Sequence, residues 1–124
     1  MSREPVKSRL PITIEEANVK DLTVPTKKRP PHPGEIIREL YMDPLGMTCR
    51  DLATAMDVSY VRLNEILNGR RGITPDTAMR LARVFETSDA LWINLQTVLD
   101  LFDARHSPEA KKIAKLRSVR RKAA

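Results

Sequence analysis

The fold is decided by residues 48–69, which read TCRDLATAMDVSYVRLNEILNG. Thr48 and Asp51 have the spacing of a capping box, so we expect a helix to begin there. Ser59 follows after a short turn and is positioned to cap a second helix. The small Ala53 allows the two helices to cross at a steep angle. This order and spacing predict a helix-turn-helix, a motif typical of DNA-binding proteins.

Apolar residues recur with the helical period of 3.6 on both sides of this motif. Before it, a first helix begins at Pro33 or Gly34 and ends before Gly46. After it, the run Thr74-Pro75-Asp76 predicts the start of a fourth helix, and the run Thr87-Ser88-Asp89 predicts the cap of a fifth. The sequence therefore predicts an all-α domain of five helices.

Charge and proline content divide the chain into three parts. Residues 1–29 hold 7 basic and 4 acidic residues, residues 30–104 hold 7 and 11, and residues 105–124 hold 8 and 1. Six of the nine prolines lie in the first 33 residues, which excludes a long helix there. We predict an arm over residues 1–30, a folded domain over residues 31–104 and a basic tail over residues 105–124. Because the domain itself is mildly acidic, DNA binding has to be argued from its pattern and not from overall charge.

Both ends leave alternatives open. In the arm, residues 10–14 and 19–24 form short apolar patches that suit an extended segment lying on another surface. The arm is either mobile on its own or ordered by a partner. In the tail, the stretch from Glu109 to Lys122 either forms a basic amphipathic helix or stays disordered.

Composition excludes several classes of function. The chain has no run of 18 apolar residues and no signal peptide, so we expect a cytoplasmic protein without a membrane partner. The lone Cys49 cannot form an internal disulfide, and with two histidines it makes no convincing zinc site. No phosphate loop or nucleophile motif occurs. We expect no enzyme activity, no catalytic residue, no bound metal, no cofactor and no small-molecule substrate.

The third helix has an apolar side and a polar side. At about 100° per residue, Leu63, Ile66 and Leu67 define the buried side. Side chains on the other side are expected to enter the major groove, where Asn can read adenine and Val can contact a thymine methyl group. The alternative for Asn64 is an ordinary solvated residue. The candidate base-reading residues are Ser59, Tyr60, Val61, Asn64, Glu65 and Asn68.

Cationic side chains around the third helix are candidates for phosphate contacts. Arginines on the flank of the helix and in the following loop have no evident geometry for reading bases, so we assign them to the DNA backbone. The start of the second helix can also hold a phosphate through the helix terminus. The alternative is that the arginines only solvate the surface. The candidate phosphate-contacting residues are Thr48, Arg50, Arg62, Arg70 and Arg71.

The fifth helix has more apolar residues than one buried face requires. Eight of the twelve residues in 91–102 are apolar. We expect this surplus to form the interface of a two-fold homodimer. The candidate interface residues are Trp92, Leu95, Val98, Leu99 and Phe102.

Several motifs resemble one known family over about residues 31–103. They are PHPGEII at 31–37, PLG at 44–46, LA at 52–53, LNEILNGRRGI at 63–73, DTAMRLA at 76–82 and WINLQ at 92–96. Together they resemble the HigA antitoxins, which belong to the Xre-like class of lambda-repressor-like helix-turn-helix proteins. One departure is Asp57, where the family pattern usually has Gly.

The resemblance implies a homodimer that binds a palindromic double-stranded operator and represses its own operon. It also implies a HigB-like toxin as partner, a RelE-like ribonuclease that cuts mRNA at the ribosome and is neutralised by the antitoxin. Two alternatives remain at this point. One is a stand-alone Xre-like transcriptional regulator without a toxin, and the other is an adaptor whose basic ends bind RNA or the ribosome.

Overall fold

The computed structural model describes residues 22–119, so predictions that concern residues 1–21 and 120–124 lie outside it. The apolar patch at residues 10–14 and the end of the basic tail are among these. Within the described range the chain forms six helices and no strand. The first helix, α1, consists of the α-helical turn Pro33–Ile36, the π-helical stretch Ile37–Met42 and the α-helical turn Asp43–Leu45. The others are α2 (Cys49–Met56), α3 (Tyr60–Leu67), α4 (Pro75–Phe85), α5 (Asp89–Arg105) and α6 (Glu109–Ala114). The all-α fold is confirmed, with a short sixth helix in the tail.

The beginning of α1 is fixed by His32 and Gly34. The Gly34 N–H donates a hydrogen bond of 2.9 Å to His32 Nδ1, which makes His32 the N-cap. A Cβ atom placed on Gly34 would lie 2.1 Å from the carbonyl oxygen of Ile66 in α3. The backbones of α1 and α3 therefore approach too closely for any side chain at position 34.

The caps and the turn predicted for the helix-turn-helix are confirmed. Thr48 Oγ1 accepts a hydrogen bond of 3.1 Å from the Asp51 N–H, and Asp51 Oδ2 accepts one of 3.0 Å from the Thr48 N–H. Asp57 lies between α2 and α3 in the left-handed region, with φ of 54°. Ser59 Oγ then accepts a hydrogen bond of 3.1 Å from the Arg62 N–H and caps α3.

The core lies where the first five helices meet and is mostly aliphatic. Trp92 is its largest fully buried side chain. The Trp92 ring packs against Tyr41 at 5.3 Å between centroids, and Tyr41 packs against Phe85 at 4.7 Å. The indole Nε1–H donates a hydrogen bond of 2.8 Å to Thr87 Oγ1, so the one polar atom of the ring is satisfied.

The apolar surplus of α5 is buried within the single chain, and this corrects our argument for a dimer interface. The five side chains proposed for that interface are all between 0% and 6% exposed. Trp92 and Leu95 belong to the core formed with the other helices, and the His106 ring stacks on Phe102. The expectation that these side chains would be exposed in a single chain was therefore wrong. The residues concerned are Trp92, Leu95, Val98, Leu99 and Phe102.

Two long-range contacts bind the end of the arm to α5. The Arg29 guanidinium donates to both carboxylate oxygens of Asp103, at 2.9 and 3.0 Å. The His106 ring stacks on Phe102 with 4.0 Å between centroids, and its Nε2 lies 3.0 Å from the carbonyl oxygen of Thr26. Residues 22–30 therefore contact the helical body of their own chain.

The tail continues from α5 through a turn into α6. Its apolar side chains stay exposed, with Ile113 at 60%, Leu116 at 74% and Val119 at 97%. Of the two alternatives for the tail, a short helix is present over Glu109–Ala114 and ends before Leu116. No helix in residues 22–119 has the length and apolarity needed to cross a bilayer.

Candidate nucleic-acid interface

The third helix separates its side chains by burial in the way the sequence predicts. Leu63 and Ile66 are 0% exposed and Leu67 is 3% exposed. On the opposite side, Tyr60 is 46% and Val61 is 65% exposed. Of the remaining candidate base-reading residues, Ser59 and Asn68 are exposed, and Asn64 and Glu65 are half-buried. These six residues thus form one surface, which we call the α3 face.

Arg50 and Tyr60 join the beginning of α2 to the α3 face. The Arg50 guanidinium carbon lies 5.4 Å from the centroid of the Tyr60 ring, a cation–π distance. Both side chains are exposed, so the contact orients Arg50 while its N–H groups remain available. Sequence reasoning placed both residues at the interface but did not foresee their contact.

Thr48 is less suited to a phosphate contact than the sequence indicated. Hydrogen bonds from the Thr48 backbone N–H and then from its side chain hold the pKa of Asp51 below its usual range. The Asp51 carboxylate is therefore charged at neutral pH and already occupies the beginning of α2. A phosphate at this helix terminus would meet a like charge.

Arg62 lies in an ion cluster that the sequence reasoning missed. Its Nη2 lies 2.7 Å from Asp76 Oδ2 and 2.7 Å from Thr77 Oγ1. Arg80 Nε donates to the same Asp76 oxygen at 2.9 Å. Hydrogen bonds from Arg62 and then Arg80 lower the pKa of Asp76. The cluster therefore holds α3 against the beginning of α4.

Arg80 extends this cluster to the end of α2. Its Nη1 donates to the carbonyl oxygens of Met56 at 2.9 Å and Asp57 at 3.1 Å. The spacing of four residues between Asp76 and Arg80 on a predicted helix was the signal that could have revealed the pair. Met56 and Asp57 lie 24 and 23 positions before Arg80, so no local sequence pattern indicates these two hydrogen bonds.

The loop between α3 and α4 is fixed on two sides. The Ile73 N–H donates a hydrogen bond of 2.8 Å to Gln96 Oε1 of α5. Arg71 Nε and Nη2 both lie 3.1 Å from Glu65 Oε2. Two candidates that the sequence assigned to DNA, Glu65 and Arg71, are thus paired with each other. Arg70, beside them, is exposed.

His32 also supports this loop. Burial, followed by the charge of Arg29, lowers the pKa of the His32 imidazole, while a hydrogen bond to the Arg71 backbone acts in the opposite direction. The ring also lies 3.8 Å from the position that a Cβ atom on Gly69 would take. A neutral His32 therefore caps α1 and contacts the loop at the same time.

Charges of both signs are present around the α3 face. Asp51, Glu65 and Asp76 lie among the arginines, so this face is not a simple basic patch. Within residues 22–119, Arg50 and Arg70 are the candidate phosphate-contacting arginines that form no ion pair. They are the cations of the interface most available to phosphates.

The same part of the chain offers little to catalysis. Burial raises the pKa of the Cys49 thiol, although Arg38 and Arg50 act against this, so the thiol is poorly suited to act as a nucleophile. Among residues 22–119, no group of three or more His, Cys, Asp or Glu side chains is placed to hold a metal ion.

Comparison with known proteins agrees with this geometry. A family model for the helix-turn-helix matches residues 37–93. The solved structure of an addiction module antidote protein of a HigA family from Coxiella burnetii is 40% identical and has a TM-score of 0.68, and the match covers 75% of this chain and 100% of that one. The chain belongs to the HigA family. The resemblance inferred from the motifs is therefore confirmed.

Two further relatives are named antitoxins, and one of them was solved together with promoter DNA. The antitoxin HigA of Pseudomonas aeruginosa, solved with the higBA promoter, is 38% identical with a TM-score of 0.67, covering 72% of this chain and 97% of that one. Antitoxin HigA-1 of Vibrio cholerae is 34% identical over 88 residues, which are 69% of this chain and 83% of the relative.

A more similar relative is virulence-associated protein I of Dichelobacter nodosus. It is 51% identical over 70 residues, which are 56% of this chain and 65% of the relative. The match thus spans slightly less than two thirds of that relative's length. HigA proteins form a family of DNA-binding helix-turn-helix antitoxins and not a family of enzymes.

Proposed function

We propose that this HigA-family protein binds the promoter of its own operon as a homodimer and neutralises a HigB-like toxin. Promoter binding is supported by the α3 face, which carries polar and apolar side chains accessible to solvent. The face lies on a capped helix whose opposite side is fully buried. Such a helix presents its exposed side chains to base edges in the major groove. A relative of similar fold was solved with promoter DNA, which supports the same use here.

The contacts divide the candidate residues into three roles. Val61 and Asn64 are the leading candidates for base contacts, with Ser59, Tyr60 and Asn68 around them. Arg50 and Arg70 contact phosphates. Arg62 positions α3 through its ion pair with Asp76. If Arg62 contacted a phosphate instead, this ion pair would be lost.

A homodimer matches a palindromic operator, because a two-fold axis presents two α3 faces to two half-sites about 34 Å apart. The buried side chains of α5 named above do not form the interface in this conformation. The dimer therefore uses exposed residues, and light scattering on the full chain tests its existence.

Binding to the duplex directly upstream of its own coding sequence tests the DNA-binding proposal. We expect this duplex to bind at least about 10³-fold more tightly than a scrambled duplex of equal length and composition, measured by fluorescence anisotropy at one salt concentration. Footprinting should show two protected half-sites. Equal affinity for both duplexes would contradict the proposal.

The toxin part of the proposal needs a separate test. Its support is the antitoxin function given in the names of the Pseudomonas and Vibrio relatives. We expect a product of the neighbouring gene to copurify with this chain and to stop growth when expressed alone. Normal growth with the neighbour alone, and no complex on coexpression, would instead indicate a regulator without a toxin.

A further inference from the structure

Glu65 lies on the α3 face, yet its carboxylate is occupied by the protein itself. Arg71 Nε and Nη2 both lie 3.1 Å from Glu65 Oε2. The Glu65 side chain is 33% exposed and the Arg71 side chain is 49% exposed. The pair therefore stands at the surface where DNA would bind, and it determines where the Arg71 guanidinium points.

The backbone that carries Arg71 is held independently of this pair. Gln96 accepts a hydrogen bond from the Ile73 N–H, and a Cβ atom on Gly72 would lie 3.1 Å from the Gln96 side chain. His32 forms a hydrogen bond with the Arg71 backbone. Because these contacts hold the loop backbone, the direction of the Arg71 side chain is set mainly by its pair with Glu65.

A fixed arginine and a mobile arginine affect DNA binding differently. When the exposed base-reading side chains fit their sites, the protein docks in one geometry and a pre-oriented guanidinium suits one phosphate. On random DNA the protein docks in many geometries, and a mobile arginine can follow the phosphates in each of them. Restraint of Arg71 therefore weakens random binding more than it weakens operator binding.

We propose that Glu65 determines DNA specificity by restraining Arg71 and not by reading a base. This inference rests on the proposed DNA-binding function. Glu65 is thus a positioning residue, and its effect reaches DNA only through the Arg71 guanidinium. The carboxylate also gives the loop a salt-sensitive contact, because neither partner is fully buried.

Glu65→Gln removes the charge at nearly constant shape and tests the proposal. We expect affinity for a short random-sequence duplex to rise about two- to fivefold, the range for loss of an exposed ion pair. The slope of log K against log salt on that duplex should steepen by up to about 0.9, because one more phosphate is contacted. Operator affinity should rise less, so the ratio of operator to random affinity falls.

Arg71→Ala, the double variant Glu65→Gln/Arg71→Ala and Asp89→Asn complete the test. In an Arg71→Ala background, Glu65→Gln should change neither affinity nor slope. Asp89→Asn, which removes one exposed negative charge at the beginning of α5, is the matched control and should leave both duplexes unaffected. Circular dichroism must show the same helicity for all variants.

The possible outcomes separate the alternatives. An equal gain on random DNA with and without Arg71 means that Glu65 repels phosphates directly, and this overturns the proposal. Loss of operator affinity alone means that Glu65 reads a base, which also overturns it. Unchanged affinity for both duplexes also overturns the proposal. By contrast, a wild-type protein that cannot distinguish the operator from random DNA contradicts the DNA-binding proposal itself.

Discussion

Neighbouring residues of α3 have unrelated tasks, because the helix turns by about 100° at each step. Leu63 is 0% exposed, whereas Asn64 belongs to the α3 face and is half-buried. This division was predictable, since it depends only on the helical period and on which positions are apolar. The Glu65–Arg71 pair was not, because a loop of irregular backbone brings Arg71 back to the helix.

Replacing Asn64 with Ala tests base reading. The variant should lose about 1–3 kcal/mol of binding free energy on the operator, the usual cost of a paired contact to a base, and little on random DNA. Arg70→Ala should weaken both alike, because a phosphate contact contains no sequence information. Anisotropy with the two duplexes measures both. If Asn64→Ala left the preference for the operator intact in a folded protein, another surface would be reading the DNA.

Gly34 has the strictest steric requirement of the four glycines. Gly34→Ala brings a methyl group 2.1 Å from the Ile66 carbonyl oxygen, so α1 must move away from α3. We expect the free energy of unfolding to fall by about 1–3 kcal/mol, as for other overpacked sites. Glu35→Ala, at the exposed neighbouring position, is the control and should cost much less. Urea unfolding followed by circular dichroism gives both values.

The helices and their caps are the elements that sequence predicts best. Each cap needs only a few adjacent residues, such as the capping box of Thr48 and Asp51 or the Ser59 hydroxyl, and each was found where predicted. The π-helical stretch Ile37–Met42 was not predicted, because the continuous apolar pattern of α1 does not distinguish it from an α-helix.

The turn between α2 and α3 is strained by a side chain. Asp57 has φ of 54°, a conformation that disfavours residues with a Cβ atom, although Asp tolerates it better than most. Asp57→Gly should therefore raise the free energy of unfolding by about 0.5–1 kcal/mol, although the extra freedom of Gly in the unfolded chain reduces the gain. Asp57→Ala keeps the strain and serves as the control. A Gly variant no more stable than the Ala variant would show that strain is absent at this turn.

His32 makes the junction of α1 and the α3–α4 loop sensitive to pH. Burial lowers its pKa from the ordinary 6.5, so the unfolded chain takes up a proton more readily than the folded one. The contribution of His32 to stability is therefore present above pH 6.5 and is lost as pH falls through the lower folded-state pKa.

Urea unfolding at about pH 7 and about pH 5 measures this dependence. His32→Asn retains a side chain able to cap the helix and removes the titrating ring. We expect the wild type to lose more stability than this variant between the two pH values. Equal losses would show that His32 titrates in the same way in the folded and unfolded chains.

At the scale of the whole molecule, contacts between residues far apart in the chain are the features that the sequence did not predict. Arg29 and Asp103 are 74 positions apart, and no local pattern indicates that they pair. From their number alone the apolar residues of α5 looked like a dimer interface, although they are buried within the chain. The division into arm, domain and tail described composition well, but it placed residues 22–30 outside the body that they contact.

The tail is the part of the molecule best suited to binding DNA without reading its sequence. Lys111, Lys112, Lys115 and Arg117 are all exposed on or just after α6, and only Lys112 is engaged, in an ion pair of 3.4 Å with Glu109. Each phosphate that a tail cation neutralises steepens the fall of log K with log salt by about 0.9. Removal of residues 109–124 should therefore flatten this dependence equally for operator and random duplexes and leave their affinity ratio unchanged.

Two full-length variants identify which property of the tail acts. Substituting Gln for Lys111, Lys112 and Lys115 should reproduce part of the flattening, because it removes charge alone. Substituting Ser for the exposed Ile113 and Leu116 should leave the salt dependence unchanged, because apolar side chains release no counterions. A lower ratio of operator to random affinity after truncation would mean that the tail reads sequence. An altered slope in the Ser variant would mean that apolar contacts place the tail on DNA, so that its charges act only after docking.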